Sequence, residues 1–415
     1  MRTYDGREWP QSRLKYLFRE IDRRVGVGST ETPLLSVSIH RGVVPRAEMT
    51  DRESRADEFG NYKEVTRGDI VINRMRAFQG GAGISSYHGM VSADYAVLRT
   101  QGALLAEFFH YLIRSDWFVG EMTARLRGIG SADLGNVRTP RINIQDLGDI
   151  AISLPRPSEQ GAIAAYLRVE TARIEQIVAA KQRLRELVWE RYWSEMDAAF
   201  TRFPRLEGLG RFALSMTDGP FGSSLTSAHY SDDQGARVIR LGNIGRGNFR
   251  DDDRAFVSTR HYELLKRHDA VANDLVVAGL GDERHPLGRA CVVPEHLGPA
   301  IVKADCFRFR LNQERLAPDF AALFLSSPTG ESLVQGSTRG STRQRANIGA
   351  LASVRVPAPP LKEQQSVVAQ LRQAEALVRC ADQALDAQVG LLSERRQALI
   401  TAAVTGQLHI PGVAA

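Results

Sequence analysis

Arginines set beside small polar residues recur in four loop-like stretches of this sequence. They are Arg74, Arg76 and Gln79; Arg125, Arg127 and Arg138; Arg240, Arg246 and Arg250; and Arg339, Arg343, Gln344 and Arg345. A guanidinium can grip a guanine edge through two parallel hydrogen bonds or fix a phosphate, and Gln or Asn can read adenine in the same way. Solvated arginines are common on loops, so a single one says little. Their return at corresponding places in the two halves of the chain says more. A fifth stretch, Thr217-Asp218-Gly219-Pro220-Phe221-Gly222-Ser223-Ser224, is a tight turn whose amides, with Ser223 and Ser224, could approach a phosphate closely; a purely structural turn is the equal alternative.

Catalytic patterns are missing. A base methyltransferase would carry Asn-Pro-Pro-aromatic or Pro-Cys with a glycine-rich cofactor turn, and neither catalytic motif occurs. Gly128-Ile129-Gly130 and Gly279-Leu280-Gly281 lack the third glycine of a dinucleotide fingerprint and read as turns. The phosphate-cradling Gly-x-x-x-x-Gly-Lys-Ser/Thr of a nucleotide-driven motor does not occur either, and Pro318-Asp319 has no following Glu-x-Lys to complete a nuclease centre. The histidines and cysteines have no zinc-site spacing, and Cys291 and Cys306 sit in strand-like runs as buried thiols. The residues point to a non-catalytic chain with no metal and no cofactor of its own.

The elements that must position the arginine loops are dominated by two long helices, over 158–199 and 361–404. In the first, Ile163, Leu167, Ile174, Ile177, Leu184 and Val188 follow a 4-3-4-3 spacing, with Glu170 and Lys181 in the polar slots. In the second, Val367, Leu371, Ala374, Val378, Ala381, Leu385 and Leu392 follow the same spacing, with Gln388 polar. A 3.5-residue repeat keeps one stripe turned toward a partner helix, so this is a pairing seam. Each run of about 40 residues would be roughly 60 Å long at about 1.5 Å per residue. A shift of 204 positions maps Ile163 onto Val367, Leu167 onto Leu371 and Val188 onto Leu392. The same shift maps Arg141, Asn143 and Gln160 onto Arg345, Asn347 and Gln364. The chain is a tandem duplication.

Two globular parts alternate with the helices. The first, residues 1–153, has expected strands at 69–75 and 95–100, helices at 106–114 and 116–126, and a closing strand over 142–154. Pro155 and Pro157 end that strand, and Ser158 is the expected N-cap of the spacer helix at 154–200. The second, residues 201–356, repeats the plan with strands at 274–280, 289–293 and 306–311, a helix at 317–325, a Gly/Ser/Arg loop at 336–345 and a strand at 351–356. Residues 357–415 are the second spacer. The helices match across the halves better than the globular parts do, which suggests a fixed scaffold presenting two separately tuned readers.

Composition sets outer bounds. A chain of 415 residues needs more than one core. Net charge of +6 permits a polyanionic partner without requiring one. The polar start lacks a signal-peptide core, and no apolar run is long enough to span a bilayer. Three widely spaced cysteines suit a reducing cytoplasm.

Several of these residues resemble those of a known family. Pro357-Ala358-Pro359-Pro360-Leu361-Lys362-Glu363-Gln364 leading into a long helix, and Pro155-Arg156-Pro157-Ser158-Glu159-Gln160 as a weaker copy, resemble the spacer entries of specificity subunits of type I restriction-modification systems. Asn73-Arg74-Met75-Arg76-Ala77-Phe78, Gly89-Met90-Val91-Ser92-Ala93-Asp94-Tyr95 and Asp218-Gly219-Pro220-Phe221-Gly222 look like recurrent segments of that family's target-recognition domains. The resemblance implies an α+β fold: two globular mixed α/β target-recognition domains in pseudo-two-fold tandem repeat, separated by two long antiparallel coiled-coil helices. It also implies a cytoplasmic subunit that binds double-stranded DNA at a bipartite, asymmetric site and leaves all chemistry to its partners. Those would be two methyltransferase subunits using S-adenosylmethionine and motor-nuclease subunits using ATP and Mg. The DNA-contacting set is then Arg74, Arg76, Gln79, Arg127, Arg138, Ser223, Ser224, Arg246, Arg339, Arg343, Gln344 and Arg345. The rival is a duplicated coiled-coil scaffold that binds protein and shows no salt-sensitive affinity for DNA.

Overall fold

Runs of β-branched residues closed by turns set the sheets, and the heptad runs set the helices. A computed structural model describes residues 8–26, 32–38, 41–49, 59–126, 141–232, 235–282, 284–337, 345–411 and 413. The chain forms two compact units, Met1–Gln182 with Asp386–Ala415, and Arg183–Leu385, each holding part of both long helices.

In unit 1, β1 (Gln11–Arg13), β2 (Phe18–Glu20), β3 (Ile70–Asn73), β4 (Ala82–Ile84) and β5 (Tyr95–Thr100) are followed by helices α1 (Ala106–Leu112) and α2 (Asp116–Thr123) and by β6 (Ala151–Ser153). The sheet runs β2-β5-β3-β4, antiparallel throughout, and β1 pairs with β6, Ser12 opposite Ile152. Ile70, Val71 and Ile72 are all fully buried in β3, as a strand covered on both faces requires. After α3 (Pro157–Thr201), unit 2 repeats this with β7 (Leu206–Gly208), β8 (Ala213–Thr217), β9 (Leu275–Ala278), β10 (Ala290–Val292), β11 (Cys306–Leu311), α4 (Pro318–Leu325), α5 (Pro328–Ser337), β12 (Arg355–Pro357) and α6 (Leu361–Val404). Its sheet runs β8-β11-β9-β10, and β7 pairs with β12, Glu207 opposite Val356. Unit 2 adds a second four-stranded sheet in which Ala236–Ile239 lies parallel to Ala300–Val302.

Three polar fastenings recur in both units. Asp69, almost fully buried, takes a two-pronged bond from Arg99 (2.7 and 3.0 Å) and a third from the Thr66 amide (2.9 Å). Asp274 does the same with Arg310 (2.9 and 2.9 Å) and the Val271 amide (2.9 Å). Gln160, buried on α3, accepts from the Leu105 amide at 2.8 Å and donates to the carbonyls of Ala103 and Pro155 at 2.8 Å each. Gln364 on α6 accepts from the Ala317 amide at 2.8 Å and donates to the carbonyls of Arg315 (2.9 Å) and Pro359 (2.7 Å). Leu105 and Ala317 precede α1 and α4, so each glutamine sews a short helix to the start of a long one. The third fastening runs from the far end of the other long helix. Thr401 Oγ1 accepts from the Asp116 amide at the start of α2 (3.0 Å), and Asp197 accepts from the Thr329 amide at the start of α5 (2.8 Å), filling otherwise orphaned N-terminal donors.

The long helices pair antiparallel within each unit. In unit 1 Glu175 meets Arg396 at 3.0 Å and Lys181 meets Gln388 at 2.5 Å; in unit 2 Arg185 meets Asp382 at 2.8 Å. Their ends are sunk in the cores: Ile163, Leu167, Ile400 and Val404 pack with Phe108 and Phe109, and Tyr192, Met196, Val367 and Leu371 pack with Phe320 and Phe324. No helix among the described residues is long and apolar enough to cross a membrane.

Four expectations change. The closing strands are shorter than 142–154 and 351–356, because Ile144–Gly148 and Ile348–Ser353 form a helical turn before each, the second capped by the Asn347 side chain. Pro157, not Ser158, opens α3: proline's fixed φ suits the first helical position, and Glu159 accepts from the Arg156 amide to serve as the cap. The expected loop at 336–345 loses its first two residues to helix α5, which fills a stretch for which no element was expected. The seam is only partly closed, since Ile177 is 40% and Leu184 47% exposed.

Candidate nucleic-acid interface

The loops leaving the ends of β3 and β9 carry exposed polar side chains over a buried base. In unit 1 the chain turns through Arg74–Gly81 over a short helical turn, Ala77–Gln79, with Ala77 buried beneath it. Arg76 and Gln79 are exposed on this turn. Arg74 is not: its Nε donates to the Ile142 carbonyl at 3.0 Å and its Nη2 to Asn143 Oδ1 at 3.2 Å. Burial, then the neighbouring positive charge of Arg141, holds its pKa below the usual arginine range. Arg74 therefore braces the loop rather than projecting from it. The equivalent place in unit 2 is Gly279, whose bare Cα lies against the Phe307 ring, where any Cβ would collide.

Opposite these loops the chain returns to the sheet at Arg141 and Arg345, and it does so identically. The Ile142 amide donates to the Arg74 carbonyl (3.2 Å) and the Ala346 amide to the Gly279 carbonyl (2.8 Å). Arg141 pairs with Asp94 at 3.2 Å and Arg345 with Asp305 at 2.8 Å, each aspartate sitting in the turn just before the central strand. In unit 2 the turn at 218–224 adjoins this point. Gly219 sits so tightly on the Lys303 carbonyl that a side chain there is excluded, and the Arg345 guanidinium stands 5.7 Å from the exposed Phe221 ring. Ser223 and Ser224 are exposed on the same turn. The structure thus brings Arg345, Phe221 and the serine turn together on one edge, and it places Arg76 and Gln79 on a separate loop of unit 1.

Arg246 departs from the expected exposed loop. Its guanidinium lies 3.8 Å from the Trp193 ring and is bonded to Glu331 at 2.6 Å, which ties the 245–248 turn to α3 and α5. Arg240 and Arg125 are likewise paired, with Asp253 and Glu121. Arg127, Arg138, Arg339, Arg343 and Gln344 lie outside the described residues. Sequence reading missed Arg284, exposed in the loop between β9 and β10, although it holds the place in unit 2 that the Arg76 loop holds in unit 1. Nearby, Arg289 is buried and donates to the carbonyls of Ile244, Leu280, Pro286 and Leu241 at 2.9–3.1 Å, so one arginine holds two loops in shape.

Comparison with known proteins bears on this arrangement. Residues 282–385 match the type I restriction modification DNA specificity domain. The chain is 21% identical over 368 residues to the type I restriction enzyme EcoKI specificity subunit of Escherichia coli, covering 83% of this chain and 76% of the relative. It is 22% identical over 301 residues to the EcoBI specificity subunit of the same species, covering 67% of this chain and 62% of that relative. A solved structure described as the structural basis of complex assembly and conformational transition of the type I R-M system is 18% identical, covers 97% of this chain and 98% of its own, and superposes with a TM-score of 0.69. That superposition establishes the α+β fold with its paired long helices.

Proposed function

We propose that the chain is a specificity subunit of a type I restriction-modification system and that it reads a bipartite, asymmetric DNA site, one half-site per unit. The observation that carries this is the pinned loop mouth. Arg141 on Asp94 and Arg345 on Asp305 fix equivalent exits from the two sheets, while the loops beyond them differ in length and residues. A frame held by these ion pairs and by the backbone bonds of Ile142 and Ala346 keeps its shape when other exposed side chains change, which is what independent tuning of two readers requires. Arg76 and Gln79 in unit 1, and Ser223, Ser224 and Arg345 in unit 2, are the described residues assigned to DNA. Arginine and glutamine serve base edges, and the serine turn serves phosphate.

The paired helices act as the spacer. Half-site centres about one helical turn, roughly 10 base pairs, apart are the expectation for such paired readers. The catalytic steps belong to partners in a cytoplasmic complex: two methyltransferase subunits with S-adenosylmethionine, and motor-nuclease subunits with ATP and Mg. Genome-wide methylation mapping in cells carrying the Arg76→Ala/Gln79→Ala variant tests the assignment. The expected result is a motif relaxed in one half and unchanged in the other. An unchanged motif in both halves, with the variant folded and assembled, removes unit 1's loop from recognition. A protein-binding scaffold would show no fall in DNA affinity as salt rises.

A further inference from the structure

In unit 2 the serine turn is gripped by histidines. Residues 221–224 stand exposed between buried Pro220 and buried Leu225. Two main-chain carbonyls bracket the stretch. That of Asp218 accepts from His268 Nδ1 at 2.5 Å, and that of Ser224 accepts from His261 Nε2 at 3.1 Å. The partners settle both tautomers. Arg267 Nε can only donate and reaches His268 Nε2 at 2.8 Å, so the His268 ring proton sits on Nδ1. A carbonyl only accepts, so His261 carries its proton on Nε2. A third histidine steadies the second. His229 Nδ1 accepts from the Thr226 amide at 3.0 Å, and its ring stacks on that of His261 with centroids 4.6 Å apart and planes 14° apart.

The fold builds both grips. His261 lies on the short helix Thr259–Leu264, whose start is capped by Ser258 accepting from the His261 amide at 3.2 Å. His268, buried, ends the helical turn Lys266–His268 and leads into the second sheet at Asp269. Between the grips Gly219 is pressed on the Lys303 carbonyl, and Gly222 takes a φ of +67°. The backbone path is thus set by contacts that the side chains of Phe221, Ser223 and Ser224 do not make. A grip on main-chain carbonyls lets those three side chains change while their place is kept. Unit 1 solves the same problem differently. Its loop at 74–81 contains no histidine and is braced by the Arg74 guanidinium on the Ile142 carbonyl.

We propose that His261 and His268 are the positioning residues of the DNA reader in unit 2. Each fixes one end of the 218–224 turn, and together they set the height and tilt at which Ser223, Ser224 and the exposed Phe221 ring meet a duplex. The proposal rests on the DNA role assigned above to this turn. A hydroxyl serving phosphate must be held to within about 0.5 Å, because a hydrogen bond weakens steeply once distance and angle are lost. Phosphate contacts set the register of a protein on the duplex, so a sagging turn would displace the base contacts of the same half-site.

The test exchanges each ring for an amide that either keeps or misplaces its donor. An Asn nitrogen stands near the Nδ1 position of histidine and a Gln nitrogen near Nε2. His268→Asn and His261→Gln are therefore matched, and His268→Gln and His261→Asn are crossed. Duplex affinity is measured across a salt series on the complex purified through the full chain, and genome-wide methylation is mapped in cells carrying each variant. Crossed variants should bind about tenfold more weakly, with the slope of log affinity against log salt lowered by about 1. Their motif should relax only in the half that Arg76→Ala/Gln79→Ala leaves unchanged. Matched variants should bind within about threefold of the unaltered chain. The half-buried His261 keeps the comparison readable should the buried His268 pair fail to fold. Equal behaviour of matched and crossed variants overturns the positioning role: if all bind normally the grips do not matter, and if all are impaired the rings only fill space. A Ser223→Ala/Ser224→Ala variant separates this from the reading beneath it. Weakened binding there beside indifferent histidines overturns the positioning role alone, and unchanged binding removes the turn from DNA and the positioning role with it.

Discussion

Asp69 with Arg99 in unit 1 and Asp274 with Arg310 in unit 2 make the same buried fork, whereas the loops leaving β3 and β9 share neither length nor residues. The difference shows which positions tolerate change. A buried carboxylate whose oxygens are spoken for by a guanidinium and an amide cannot be altered on one side alone, because the surviving partner is left desolvated and unmet. A loop side chain in water has no such partner. Duplication followed by divergence therefore leaves the fastenings in place and spends its changes on Arg76, Gln79, Phe221 and Arg284. The largest test follows directly. Asp69→Ala and Asp274→Ala should each cost about 3 kcal/mol by denaturant unfolding, and roughly equally. A loss confined to one of them would mean that the forks only look alike.

The buried glutamines sharpen the same point on a smaller scale. Gln160→Ala and Gln364→Ala each strand one amide donor and two carbonyls, with an expected cost of about 2 kcal/mol. Hydrogen exchange should quicken at the Leu105 amide in the first variant and at the Ala317 amide in the second, each without the other. Quickening at both amides in either variant would show the locks to be coupled.

Much of this frame was legible in the sequence. The heptads located both long helices, α6 to its observed ends, and the fixed shift paired Gln160 with Gln364 and Arg141 with Arg345 before their bonds were visible. Cys306–Leu311 was plain because Phe307, Phe309 and Leu311 alternate. Other features were hidden for physical reasons. The 144–148 turn has apolar residues that fit a strand equally well, and only the tertiary seat beside Leu14 decides for helix. Arginines cannot be sorted by letter: Arg76 is exposed, Arg246 stacks on Trp193 and Arg74 braces a carbonyl, and only the partner brought up by the fold tells them apart. The gathering of Arg41, His110, Arg168 and Arg396 around one cleft was not legible at all, since they come from four distant parts of the chain.

The halves should also answer acid differently. In unit 1, burial and then the fields of Arg114 and Arg396 hold the His110 imidazole down to about 3. An unfolded histidine titrates near 6.5, so between those values the unfolded chain takes up a proton that the folded one refuses. Stability is complete above about pH 6.5 and falls as pH drops toward 3, by up to about 1.4 kcal/mol per pH unit. His110→Gln should flatten that slope in unfolding measured across pH. Unit 2 has Ala322 at the equivalent place, and Ala322→Gln should leave the slope alone. An unchanged slope in His110→Gln would mean that the imidazole is protonated in the fold.

The smallest effects belong to the polar contacts along the paired helices. Lys181 bonds Gln388 there, and Arg185 grips Asp382 with two bonds, holding the Asp382 carboxyl below its ordinary range. With Ile177 and Leu184 substantially exposed nearby, apolar packing fixes the helix register only weakly, and directional polar contacts must supply the rest. Double-mutant cycles measure this share. Coupling of about 1 kcal/mol is expected for Arg185 with Asp382, whose geometry is two-pronged, and about 0.5 kcal/mol for Lys181 with Gln388, one bond to an open side chain. The Arg185 coupling should persist down to the ordinary carboxylate range and vanish as pH falls through the lowered value, because protonated Asp382 no longer holds a guanidinium. Zero coupling in both cycles would leave register to the buried ends alone, at Ile163, Leu167 and Ile400 in one unit and Tyr192, Val367 and Leu371 in the other.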